Sequence, residues 1–476
     1  MGLNGMLGKT LPGAVLAAAL MAGAPAAAET PETVVGREAR SAVTLTVYNG
    51  GFALIDEVRR LEVPAGRSRL ALTELGTALQ PETVILGGPD LRVLERVFAF
   101  DLLTPQRLLE ASVGERVRVV KTHPETGEET VLEAEVLAIA RGTVLRIGDR
   151  IETAVPGRIV FDRLPPGLRE RPTLLVEVES AGADPRDLSL SYLTGGLSWQ
   201  ADYVARLDEA GTRLDLTGLV TVTNNSGAAF EGAVLRLVAG EVRKVASAPM
   251  PRERVMRQAT VHAETAMTDA PVQTAVSDRY LYRYERPVDL ADRETKQLTL
   301  LQAGGVAVAR RYRFTELVHA IPGMEEIGPV QAEVRLEFEN EAENGLGRPL
   351  PGGTVRVYED AEGGPIFAGE DRIAHRPEGE TIELTLGRAF DVTGEARHTD
   401  FERLSKTSYE IAQEVTLRNA KDEAVEVEVS GLLPPGWVML SESRPHVAET
   451  ANRIAWSLEV PAQGEAKLTY RVRISR

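Results

Sequence analysis

The chain has 476 residues, a formal net charge of −16, no cysteine and 5% aromatic residues. That length suits about three domains, and the acidity disfavours nucleic acid or an anionic bilayer as main partner, because both are held through basic patches. The missing cysteine excludes disulfides, thiolate metal sites, a cysteine nucleophile and a lipid attached through cysteine, so packing of Val, Leu, Ile and Ala must carry the stability.

The first element in chain order is a leader. Lys9 precedes an apolar stretch, Leu11 to Ala24, which ends in Pro25 and Ala26-Ala27-Ala28 before Glu29. A positive start, an apolar middle and a small-residue end predict a secretory signal peptide over 1–28, cut after Ala28. Pro12, Gly13, Gly23 and Pro25 shorten the helix-competent run below the ~20 residues a membrane span needs. The expected destination is the periplasm or the outside of the cell. No later apolar run reaches about 18 residues, so no transmembrane helix is expected after cleavage.

Strand patterns then dominate, and the predicted fold is all-β. An N-terminal β domain is expected over 38–180, starting with strands from Val43 to Leu72 around a turn at Pro64-Ala65-Gly66. One short helix is predicted from Thr104 to Ala111, with Thr104 as cap and Pro105 in the first helical position. Short strands at Val113–Val120, Thr130–Ala138, Gly142–Ile147 and Arg158–Phe161 predict a small β-barrel nested at about 111–163. A central β-sandwich is expected over 181–390, interrupted by a flexible segment, 246–278, with no alternation and few large apolar residues. The end, 391–476, reads as an immunoglobulin-like sandwich, giving tandem antiparallel sandwiches.

Period-two alternation carries these readings. Val334, Leu336 and Phe338 alternate with Glu333, Arg335, Glu337 and Glu339; Val425, Val427 and Val429 with Glu426 and Glu428; Leu468, Tyr470, Val472 and Ile474 with Lys467, Thr469, Arg471 and Arg473. One pattern recurs: a strand ends at Asn224, Asn340 or Asn419 and a polar loop follows. Asn at a strand end closes an Asx-turn and tolerates a left-handed backbone. The recurrence is either shared turn chemistry or a tandem repeat of one unit.

Little points to chemistry. The six histidines (His123, His262, His319, His375, His398 and His446) have no metal-ligand spacing and read as surface or loop residues, although separate strands are able to bring them together. Gly196-Leu-Ser-Trp-Gln200 starts like a nucleophile elbow but lacks its last Gly and the following helix. Glu359, Asp360, Glu362, Glu370 and Asp371 read as solvated turns. Asn224-Asn225-Ser226 is a short glycosylation match. No catalytic, cofactor-binding or metal-ligating residue is assigned, and no cofactor is expected. Three functions fit: an exported envelope-associated binding or scaffold protein with a protein or envelope-polymer partner; a hydrolase of envelope polysaccharide using carboxylates from separate strands; or an outer-membrane β-barrel, which the sparse aromatics and charged strand faces disfavour.

Tyr192-Leu-Thr-Gly-Gly-Leu-Ser-Trp-Gln-Ala-Asp-Tyr203, Leu214-Asp-Leu-Thr-Gly-Leu-Val-Thr-Val-Thr-Asn-Asn225 and Val234-Leu-Arg-Leu-Val-Ala-Gly240 resemble the bacterial family called domain of unknown function 4139. Leu350-Pro-Gly-Gly-Thr-Val-Arg-Val-Tyr358, Gly387-Arg-Ala-Phe-Asp-Val392 and the ending around Trp456 and Val460-Pro-Ala462 resemble its later blocks. The likeness covers roughly 185–476, and Val43 to Pro166 resembles the usual N-terminal partner. Mucoidy-inhibitor-like relatives carry a coiled coil between the two parts; this chain has no heptad run there and resembles the shorter exported branch. The resemblance implies a β-rich exported protein and no agreed reaction. Physically, Trp199 and Tyr203 lie four apart on one strand face and suit packing between sheets.

Overall fold

Residues that alternate in sequence pair as strands throughout the computed structural model of the chain, which describes residues 32–475 apart from 100–101, 141, 156, 166, 244–260, 263–269, 277 and 324–325. The leader, 1–28, and most of the segment 246–278 lie outside the described residues.

The N-terminal part holds β1 (Glu32–Val35), β2 (Arg40–Tyr48), β3 (Phe52–Glu62), β4 (Gly66–Leu72), β5 (Ile85–Gly87), β6 (Leu91–Ala99), α1 (Pro105–Ala111), β7 (Arg116–Thr122), β8 (Glu129–Ala138), β9 (Val144–Ile147), β10 (Arg150–Glu152), β11 (Arg158–Val160) and β12 (Thr173–Ser180). Helix α1 starts as its sequence predicts: Thr104 accepts a hydrogen bond from the Arg107 N–H at 3.1 Å, and Pro105 opens the first turn. Strands β7 to β11 form a sheet of order β10-β9-β8-β7-β11 over a small core of Val117, Val119, Ala134, Val136 and Leu145. The outer strands β10 and β11 do not pair with each other, so the nested barrel is an open five-stranded sheet.

The next strands are β13 (Pro185–Gly195), β14 (Leu197–Leu207), β15 (Arg213–Asn224), β16 (Phe230–Ala239), β17 (Val261–His262), β18 (Val272–Val276), β19 (Arg279–Arg283), β20 (Val288–Leu290), β21 (Glu294–Ala307), β22 (Ala309–Val318), β23 (Glu326–Glu339), β24 (Gly353–Ala361) and β25 (Gly364–Ile373). One sheet runs β18-β19-β16-β2-β3-β13-β5. Segments 38–180 and 181–390 therefore share a sheet, and they share one core: Leu45 and Ile55 belong to the same buried cluster as Tyr192, Tyr203 and Phe230. A second sheet runs β17-β21-β15-β14-β24-β25. Within 246–278 the described residues include two short strands: β17 pairs with β21, and β18 with β19.

The remaining strands are β26 (Thr381–Arg403), β27 (Ser408–Asn419), β28 (Val425–Leu432), β29 (Trp437–Glu442), β30 (Val447–Ala448), β31 (Arg453–Val460) and β32 (Gly464–Ser475). They join β22 and β23 in a nine-stranded sheet of order β29-β32-β27-β26-β23-β22-β28-β31-β30. Its two edge strands, β29 and β30, are consecutive in the chain and joined only by residues 443–446. The sheet therefore rolls until its ends approach: Trp456 on β31 stacks on Tyr470 of β32 at 5.0 Å, although five strands separate them along the ladder. Inside the roll lies a second core containing Phe314, Val392, Val415, Val429, Trp456 and Val472. The boundary expected at 391 falls inside β26. Ile382 and Leu384 in its first half belong to the first core, and Val392 and Ala396 in its second half to the second.

The three Asn turns use one chemistry. Asn224 donates from Nδ2 to the carbonyls of Ala228 (2.8 Å) and Ala291 (2.9 Å), while its Oδ1 accepts from the Ser226 N–H (3.1 Å). Asn419 repeats this with Glu423 (2.7 Å), Pro461 (3.0 Å) and the Lys421 N–H (2.9 Å). Asn340 donates to Arg348 (2.8 Å) and Pro377 (2.8 Å). There the short 3-10 turn Ala342–Asn344 lengthens the loop and moves the first acceptor further down the chain. The left-handed residue is not the Asn. It is Arg293 (φ 61°) and Gln463 (φ 50°), each just before its receiving strand, and Gly379 (φ 83°), two residues before β26.

Candidate functional site

Cross-strand partners point to the same face of a sheet, and one such row inside the roll is polar. His398 on β26 lies opposite Gln413 on β27, Gln413 opposite Tyr470 on β32, and Tyr470 opposite Glu442 on β29. The row sits amid apolar neighbours, so its groups must find partners within the protein. The Tyr470 hydroxyl donates to Gln413 Oε1, and Gln413 Nε2 donates to the Leu317 carbonyl at 3.0 Å. Glu442 Oε2 accepts from Trp456 Nε1 at 3.0 Å and lies 2.9 Å from His446 Nδ1. The His446 ring stands edge-on between Trp437 (5.5 Å) and Trp456 (6.1 Å). Glu442 and His446 thus sit at the seam, at the two ends of the connection that holds the edges of the roll together.

At the other end of the row His319, just after β22, faces His398 with ring centroids 4.9 Å apart and planes tilted by 41°. Its backbone is pinned: Gln413 holds the Leu317 carbonyl, and the Tyr409 hydroxyl donates to the Ala320 carbonyl at 2.8 Å. His319 is 6% exposed, and neither of its ring nitrogens has a hydrogen-bond partner. Burial, and then the neighbouring His398, hold its imidazole down to about 4, so it is neutral at physiological pH. Burial pushes the Tyr470 phenol up.

A second buried polar cluster lies in the first core. Glu57 bridges Arg40 (2.8 Å) and Arg59 (2.7 Å), and all three side chains are nearly inaccessible. Arg59 Nη1 also donates to the carbonyls of Val35 (2.7 Å) and Thr73 (2.9 Å), and Arg40 Nη1 to Ala229 (3.1 Å). The cluster ties β1, β3, the end of β4 and the start of β16 together. Its carboxylate is fully engaged by two guanidinium groups, which makes it a strut.

The histidine expectation is corrected at two positions. His319 is buried rather than on the surface, and His398 meets it from another strand; no local spacing announces either, because 79 residues of chain separate them. At His375 and His123 the expectation fits. His375 Nδ1 accepts from the Gly352 N–H, and His123 Nδ1 accepts in its own turn. The acids read as solvated turns are largely paired: Glu359 with Arg310 (2.6 Å), Asp360 with Arg206 (2.6 Å) and Glu370 with Arg356 (3.3 Å), while Asp371 accepts from the Thr385 N–H (2.7 Å). Trp199 and Tyr203 are buried on one face as expected, and the Tyr203 hydroxyl donates to the Pro351 carbonyl at 2.7 Å. A strand, not a helix, follows Gly196, so Ser198 is not on a nucleophile elbow. Asn224 is buried with its amide engaged, which removes it as a glycan acceptor. Among the described residues no three or more His, Asp or Glu side chains gather in a metal-holding group.

The family model described as "Domain of unknown function (DUF4139)" matches residues 188–475, more than half of the chain. The chain belongs to this family. The DUF4139 match begins inside β13 and ends with β32, so it contains the whole polar row and all three Asn turns, and it leaves out β2 and β3 although they share a sheet with β13 and β16. No curated protein matches the chain.

Proposed function

We propose that this DUF4139 protein is an exported, envelope-associated binding or scaffold protein whose partner docks at sheet edges. The observation that carries this reading is the tip of the β24–β25 hairpin. β25 is the last strand of its sheet, and the adjacent residues Ile366 and Phe367 are 59% and 54% exposed. Neighbours on a strand point to opposite faces, so both faces of this end carry an exposed apolar side chain, with Phe367 edge-on to Tyr358 at 5.6 Å. An edge strand carrying exposed apolar side chains is a template for an added strand, with the backbone supplying affinity and the side chains selectivity. The leader 1–28 supports export. The outward face of the roll supports an aqueous destination: Arg418 joins Glu395 and Glu465 (2.7 Å each), and Glu414 takes Arg397 (2.8 Å) and Lys467 (3.4 Å). We also read the three matching Asn turns as three copies of one sandwich-like unit, the last of them immunoglobulin-like.

The experiment is affinity capture from envelope extract with the wild-type chain and with the Ile366→Asp/Phe367→Asp variant. The wild type should retain a specific protein or polymer and the variant should lose it. Equal capture by both, or none by either, would overturn docking at this edge.

A further inference from the structure

We propose that His319 and His398 form a binding site for one late first-row transition-metal ion, copper(II) foremost. The two imidazoles reach each other from separate elements, with ring centroids 4.9 Å apart. They differ in a way that suits a metal site. His319 is buried and pinned by its neighbours' hydrogen bonds to the flanking carbonyls, while His398 is half-buried.

The decisive observation is the His319 ring itself. A neutral imidazole has one donor and one acceptor nitrogen, and burying both without partners is costly. Both nitrogens of His319 are buried without a hydrogen bond. A metal ion coordinated by one nitrogen would use the lone pair that no protein donor reaches. Gln413 and Tyr470, which continue the cross-strand row from His398, bond to each other.

Donor chemistry narrows the ion. Two imidazoles are borderline nitrogen ligands that suit copper, nickel and zinc, and the divalent series places copper(II) highest. The chain has no cysteine to draw the ion to a thiolate elsewhere. With no carboxylate in the pair, water would fill the remaining positions, and hard ions such as magnesium and calcium, which take oxygen ligands, should be refused. This inference is independent of the edge-docking proposal and concerns a different face.

The test titrates copper(II) into the full-length chain in a non-coordinating buffer, followed by calorimetry and electron paramagnetic resonance. One equivalent should bind with hyperfine structure from two nitrogens, and magnesium should not compete. His398→Asn and His319→Phe should each weaken binding by about tenfold or more, and His123→Asn, in a distant turn, should leave it unchanged. Far-UV circular dichroism checks folding. If His319→Phe does not fold, the half-buried His398→Asn still decides. Absence of saturable binding, or undiminished binding in His398→Asn, would overturn the proposal.

Discussion

Residues 197–294 and 392–464 are built alike around different interiors. In the first, β14 pairs with β15 from Leu197 to Asn224, β15 meets β21 at Glu294, and Phe230 on β16 faces Leu290 on β20. In the second, β26 pairs with β27 up to Val392 and Asn419, β27 meets β32 at Gly464, and Val425 on β28 faces Val460 on β31. Every step from the Asn is the same in both. What differs is what closes each unit. The first lays β16 parallel to β2 of the N-terminal part and merges into a large core braced by Arg40, Glu57 and Arg59. The second closes on its own edge strands, and its interior carries the His319-to-His446 polar row. Turn chemistry is thus common property, and each unit's individuality lies in what its open side packs against.

The comparison can be broken in both cores. Trp456→Ala removes the plug of the roll and the donor to Glu442, and Phe230→Ala empties the matching region of the first core. Each should cost about 3–5 kcal/mol in denaturant unfolding. If the two regions unfold as one, both variants will shift a single transition; separate transitions would show two cooperative units. Asn224→Ala and Asn419→Ala strand buried carbonyls and should each cost about 1–3 kcal/mol. Near-equal losses are expected from these matched networks. Asn340→Ala should cost less, because the Asn340 Oδ1 accepts no hydrogen bond; a larger loss there would contradict the accounting.

Acid gives a further probe of the roll. Arg418 holds the Glu395 carboxyl low, Arg473 and Arg471 do so for Glu410, and Arg397 and Lys467 for Glu414. All three belong to the roll. A carboxylate lowered on folding contributes stability that is present above its unfolded value, about 4.3, and is lost as pH falls through the lower folded value. Near-UV circular dichroism from Trp437 and Trp456 should therefore weaken below about pH 4, less so in high salt-matched controls of Glu410→Gln, which has no proton to gain. The smallest effect is expected for Arg418→Ala, whose two surface ion pairs, with Glu395 and Glu465, are each worth about 1 kcal/mol or less.

Much of this was legible residue by residue. Alternating Val427, Val429, Leu468 and Tyr470 are strand residues with buried apolar sides, and Thr104-Pro105 marks the start of helix α1, because both signals are local and set by neighbours a few residues away. The recurring Asn was visible too, but not that its amide bonds matching carbonyls, those of Ala228 and Ala291 for Asn224 and of Glu423 and Pro461 for Asn419. The polar row was not legible. Its members lie just after β22, on β26, β27, β29 and β32 and in the 443–446 connection, and nothing in the spacing of His319, His398, Gln413, Glu442 and Tyr470 foretells that a rolled sheet stacks them.

What the sequence by itself determined is therefore the secondary structure, the family and the turn chemistry, since period, capping and Asn hydrogen bonding act over short chain distances. Only the tertiary structure decided that β2 and β3 enter the same sheet as β16, that the expected barrel stays open between β10 and β11, and that β29 and β30 bring the ends of one sheet together. Those outcomes depend on which apolar face finds which partner across hundreds of residues, and period-two alternation records that a face is buried without recording against what.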